Sequence, residues 1–335
     1  MVVFLGSVLL TAWLVPCARA EAGIGACGFD AGRLSFAGTP TEQARCLLRP
    51  VLPAGQLGPE LATLPAPFDE LVGNPVDVTR RALVSYLEAR GIGPGEIGGP
   101  LSRPVSRAAG AAAGSAAARY FVIHDTSTPN LLAAASFPRG IDTGRWPHNH
   151  LERWRQGSAS KAHVFVARTG SSLAALDFAT PWRATKLEKA AGVGSRGLFL
   201  HVEMGQPRRS DPGGARGNDR LAPEPGFTAP QLERLALLYV AASVRRGEWL
   251  IPAFHAAVDG GLPDAHDDPQ RFSLGAWAPG RAGWPRCAPR CCALLRRPAR
   301  GASTRRPASV RPCWHTTALV PLRPDRRAFG RGLVG

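Results

Sequence analysis

Apolar residues gather in three short runs in the middle of the chain. They are Tyr120-Phe121-Val122-Ile123, Ala162-His163-Val164-Phe165-Val166-Ala167 and Leu198-Phe199-Leu200-His201-Val202-Glu203-Met204. Each reads as a short buried strand, and Gly and polar residues between the second and third mark turns. A different periodicity follows. Leu232, Leu235, Leu238, Tyr239 and Ala242 form a helical stripe, opened by the capping box Thr228-Ala229-Pro230-Gln231 and followed by Gly247. Strands followed by a long amphipathic helix predict an α/β domain, with a mixed central sheet flanked by helices, over residues 113–278.

The region before it is built differently. Residues 21–112 are read as an N-terminal extension, rich in Gly and Pro at first, with short helical pieces. Thr39-Pro40-Thr41-Glu42 is a capping box with Pro at the first helical position, so a short helix should run through Cys46 and Leu48. Val78, Ala82, Tyr86 and Ala89 predict a second helix from about Asp77 to Arg90, stopped by Gly91. The Ala-, Gly- and Ser-rich stretch from Arg107 to Arg119 reads as a linker or loop.

The two ends of the chain change the picture of where it works. Met1 to Leu14 is almost wholly apolar and leads to Ala18-Arg19-Ala20, a small-x-small cleavage pattern. Residues 1–20 therefore read as a secretory signal peptide, and the mature chain as exported: periplasmic, secreted or associated with the cell wall. Export permits disulfides, and Cys27 and Cys46 are expected to pair. The body holds no apolar run of about 18 residues, so no integral membrane segment is expected in the mature chain. The stretch 279–335 is rich in Arg and Pro and without periodicity; it is expected to be a disordered basic tail or an out-of-frame product.

That tail also explains the net charge. The chain carries +16, of which +12 lies between Arg281 and the end. The remaining +4 needs no polyanion, and no nucleic-acid partner is expected.

The candidate chemistry lies at the ends of these elements. His124 closes the first strand, His255 follows the long helix, and Asp268 stands 13 residues later in His266-Asp267-Asp268-Pro269. Two imidazoles, one carboxylate and a water compose a common catalytic zinc site, and zinc brings the pKa of its water to about 7. Glu203 sits on an otherwise apolar strand, where a carboxylate facing a cleft can take a proton. Asp264 and Asp267 are alternatives to Asp268. His201, two residues before Glu203, shares its face of the strand and is read as structural.

The order of these segments resembles the type-2 N-acetylmuramoyl-L-alanine amidases, which share a fold with peptidoglycan recognition proteins. The matching pieces are Val122-Ile123-His124-Asp125-Thr126, Lys161 to Gly170, Trp182-Arg183-Ala184-Thr185, Val202-Glu203, Thr228 to Gln231, Phe254-His255 and His266-Asp267-Asp268-Pro269. The resemblance implies that His124, His255 and Asp268 bind Zn2+, and that Glu203 orients or deprotonates the attacking water. It implies that His266, where the family often has Lys, steadies the oxyanion. It sets His163 and Arg183 at substrate-binding positions; Arg183 stands where a His is expected, and His163 is equally well read as a hydrogen-bonded core residue. The implied reaction is hydrolysis of the lactyl–L-alanine amide of peptidoglycan or muropeptides. A non-catalytic peptidoglycan-binding module and a zinc hydrolase of another amide are the alternatives.

Overall fold

The computed structural model describes residues 23–109, 115–131, 136–155, 162–210, 220–222 and 226–277. The expected leader and the Arg- and Pro-rich stretch 279–335 lie outside them. The N-terminal region opens with a two-stranded ribbon, β1 (Phe29–Asp30) and β2 (Ser35–Phe36), then α1 (Pro40–Leu47). Thr39 caps α1 as expected: its hydroxyl accepts from the Glu42 N–H, and Glu42 Oε2 accepts from the Thr39 N–H at 2.7 Å. Cys27 and Cys46 form the expected disulfide, with Cα atoms 5.9 Å apart. Next come α2 (Ala66–Leu71) and α3 (Arg80–Glu88). The last is shorter than its apolar spacing predicted, because Thr79 and not Asp77 caps it.

The central sheet contains β3 (Tyr120–Asp125), β5 (Val164–Val166), β6 (Ser172–Ala174), β7 (Phe199–Met204) and β10 (Ile251–Phe254), in the order β10-β3-β7-β5-β6. The first four strands in that order run parallel, and β6 is antiparallel to β5. The sheet is thus mixed, as expected. β4 (Asn130–Leu131), β8 (Arg208–Ser210) and β9 (Arg220–Leu221) make a small second sheet. The helices of this half are α4 (Lys186–Ala191), α5 (Ala229–Arg246), α6 (His255–Asp259) and α7 (Leu274–Trp277). Thr228 caps α5, and Gly247 ends it at φ +80°, a conformation glycine adopts without strain. Among the described residues no helix is long and apolar enough to cross a membrane.

Strands β3 and β7 are buried along their whole length, which requires cover on both faces of the sheet. On one face, Phe121 meets Tyr239 of α5, which packs edge-on to Phe68 of α2 and Trp277 of α7. The other face carries Tyr120, Val122 and His124 of β3 beside Phe199, His201 and Glu203 of β7. The N-terminal region covers it. Tyr120 stacks on Phe199 at 4.9 Å, and Phe36 stands edge-on to Tyr120 at 5.1 Å. The Tyr120 hydroxyl accepts from the Phe36 N–H and donates to Gln43 of α1, both at 3.0 Å.

Phe29, Phe36, Leu47, Phe68, Leu83 and Val105 of the N-terminal region therefore share one hydrophobic core with the sheet. Ala108 N–H donates to the Ala116 carbonyl at 2.9 Å and Ala118 N–H to the Ser106 carbonyl at 2.8 Å, while the expected boundary at 112/113 lies outside the described residues. Phe29 is fully buried and packs on Phe36 and Phe199. Phe29→Ala is expected to lower the unfolding free energy of the whole protein by about 3–5 kcal/mol in a single denaturant transition. A sheet domain that unfolds unchanged in that variant would contradict the shared core.

Candidate metal centre

The parallel strands bring the candidate residues to one edge. His124 is the fifth residue of β3, Glu203 lies beside it in register on β7, and His255 directly follows β10 on the other side. All three stand at the carboxyl ends of adjacent parallel strands, where open α/β sheets place their ligand sites. Asp268 arrives from the loop after α6, and its carbonyl accepts from the Ala256 N–H at 2.8 Å.

The donor atoms converge. His124 Nδ1 lies 2.8 Å from His255 Nδ1. Asp268 Oδ1 lies 3.0 Å from His255 Nδ1, and Asp268 Oδ2 lies 4.0 Å from His124 Nδ1. A tetrahedral zinc with bonds near 2.0–2.1 Å sets its ligand atoms about 3.3 Å apart, and the three separations bracket that edge. All three side chains are buried. The remaining ring nitrogens are also engaged: His255 Nε2 lies 3.1 Å from Asp259 Oδ2, and His124 Nε2 lies 3.0 Å from His201 Nδ1. Histidines that bind metal through one nitrogen and are held at the other have this form. The donor set, its spacing and its outer partners all fit a metal ion.

Charge in the cluster points the same way. Burial disfavours a charged His255, but Asp268 and Asp259 outweigh it and push the pKa up to about 10. Burial, with His255 and His201 beside it, holds His124 far below the ordinary histidine value, so the ring is neutral and one of its two nitrogens carries a lone pair. Burial also works against ionisation of Asp259, yet the hydrogen bonds from His255 and His266 keep it well below the usual carboxylate range. The cluster is thus arranged to hold one positive charge where the three donors meet.

The chain matches no protein-family model, no curated protein and no solved structure. The chemistry of the site accordingly rests on its own geometry.

The other expected site residues divide into two groups. Glu203 stands beside His124 in register, on the same face of the sheet, and is buried. His266 stands at its mouth: the ring stacks on His255 at 4.0 Å, and its side chain is 42% exposed. Its Nδ1 pairs with Asp259 Oδ2 at 2.7 Å, which leaves Nε2 to face outward. His163 is different. It is fully buried, its Nδ1 accepts from the His201 N–H, and its Nε2 donates to the Thr180 carbonyl, both at 3.0 Å. Burial pushes its pKa down to about 3. His163 is the hydrogen-bonded core residue and not a substrate contact, because both ring nitrogens are used inside the fold. Arg183 is exposed on the loop before α4, and no contact joins it to the cluster. Of the alternative carboxylates, Asp267 lies 3.7 Å from Arg208, and Asp264 takes no part in the cluster.

Sequence reasoning missed the supports. Asp125 N–H donates to Asp268 Oδ2 at 2.9 Å, and the Asp125 carboxylate accepts twice from the buried Arg208, at 2.5 and 3.2 Å. Asp259 receives the Leu187 N–H of α4 at 3.0 Å as well as the two histidines. Only the position of Asp259, one helical turn after His255, gave a signal in the sequence.

The raised pKa of His255 sets a pH dependence. Without metal this ring is protonated at pH 7, and Nδ1 must lose its proton to bind zinc. Binding is therefore expected to release about one proton, and zinc affinity to fall roughly tenfold for each pH unit lowered between 8 and 6. Calorimetry in buffers of different ionisation enthalpy measures this, and an enthalpy independent of buffer would contradict it.

Proposed function

We propose that the protein is a zinc-dependent N-acetylmuramoyl-L-alanine amidase, hydrolysing the amide between the lactyl group of the sugar and L-alanine in peptidoglycan or muropeptides. The observation that carries this reading is the convergence of His124, His255 and Asp268, with Glu203 beside His124 on the same face of the sheet. The amidase-like order of segments along the chain supports the choice of reaction.

His124, His255 and Asp268 would hold the zinc. When bound, the metal would polarise the scissile carbonyl and make water nucleophilic at neutral pH. Glu203 takes the proton of the attacking water and returns it to the leaving amine. His266 donates Nδ1–H to Asp259, and in its imidazolium form it offers Nε2–H to the oxygen on which charge develops. Asp259 keeps both His255 and His266 in one orientation, so metal ligand and electrophile are fixed relative to each other. Arg183 is suited by exposure to meet a carboxylate of the stem peptide. The Cys27–Cys46 disulfide supports an exported protein, since such bonds persist in oxidising compartments.

Digestion of purified sacculi by the zinc-loaded protein, read by mass spectrometry, tests the activity. Peptides with a free N-terminal L-alanine are expected from the wild type and not from His124→Ala. Glu203→Gln should retain zinc and lose about 10²–10⁴ in kcat. Sacculi that bind the protein but keep every sugar–peptide bond would instead identify a recognition module.

A further inference from the structure

The ring of His124 is held from behind by a buried chain that the proposed reaction does not use. His124 Nε2 lies 3.0 Å from His201 Nδ1, and His201 Nε2 lies 3.2 Å from Glu188 Oε2. Both His201 and Glu188 are fully buried. If Nδ1 of His124 is to bind metal, Nε2 must carry the ring proton. His201 then accepts at Nδ1 and carries its proton at Nε2, where the Glu188 carboxylate stands at ion-pair distance. Each atom in the chain is chemically able to play its part, and the carboxylate fixes the direction of all of it.

Glu188 also closes the capping box of α4, where Oε2 accepts from the Thr185 N–H at 3.2 Å. Capping alone does not call for a buried charge. The same box on α1 uses Glu42, which is exposed to water. The box on α5 is buried and uses the neutral Gln231, whose side-chain amide donates to the Gly205 carbonyl. Glu188 is a charged residue in a buried box, and the group opposite it is His201.

We propose that His201 and Glu188 are positioning residues that hold His124 in its Nε2-protonated form and so set the affinity of the site for zinc. This rests on the zinc reading of the His124–His255–Asp268 cluster.

Zinc dissociation constants of the full chain, measured by competition with a chromophoric chelator, test it. Glu188→Gln keeps the capping box and removes the charge; it is expected to weaken zinc binding about tenfold. His201→Leu should weaken it about 10- to 100-fold. His201→Asn, which restores an acceptor near the position of Nδ1, should recover most of that loss. Two-bond 1H–15N spectra of the metal-free wild type should show His124 protonated at Nε2. Should His201→Leu fail to fold, Glu188→Gln and His201→Asn still decide. Tight zinc binding by the wild type with unchanged affinity in Glu188→Gln would overturn the positioning role alone. A wild type that binds no zinc would overturn the metal reading and this role with it.

Discussion

Two imidazoles and a carboxylate meet here out of bulk solvent, each of them buried, and that arrangement is costly unless the outer atoms have partners. The structure supplies those partners from four directions. Asp259 stands behind His255, His201 behind His124, and the Asp125 backbone and Ala256 N–H hold Asp268. The first turn of α4 serves two of these chains at once. Its Leu187 N–H meets Asp259 while the Glu188 side chain meets His201. A single helical turn thus links the outer supports of both histidines, and a shift of α4 would disturb the two together.

The N-terminal region belongs to the same design. The face of the sheet that carries His124, His201 and Glu203 is the face that Phe29, Phe36 and α1 cover. Ala26 N–H donates to the Gly260 carbonyl at 2.7 Å, just past the end of α6. The disulfide ties Cys27 to α1, so the chain segment that braces α6, which carries His255, is itself fixed. Water is kept from the inner side of the cluster, and His266 marks the side left open.

Periodicity and capping residues carried much of this architecture. Thr39, Thr228 and Gly247 act at short range, and the elements they bound appear where spacing placed them. The three strands with long apolar runs did as well. β10 was not foreseen, because Ile251-Pro252-Ala253-Phe254 follows the long helix closely and contains a Pro. At the site, the three candidate donors were singled out because a strand end, a histidine just after the long helix and an Asp-Pro pair stand in an amidase-like order. Their supports were not. His201 and Glu188 meet across folded structure, and Asp125 and Arg208 are 83 residues apart, so no local spacing relates them. His163 shows the converse error: a histidine beside a strand invites a functional role, but here its nitrogens serve the backbone.

The claim on which the rest depends is that His124, His255 and Asp268 bind one metal ion. Native mass spectrometry of the purified protein after zinc loading tests it directly. The account predicts one zinc per chain, lost in His124→Ala and in Asp268→Ala and kept in His163→Asn. A wild type that retains no zinc, or retains it equally in all three variants, would contradict it.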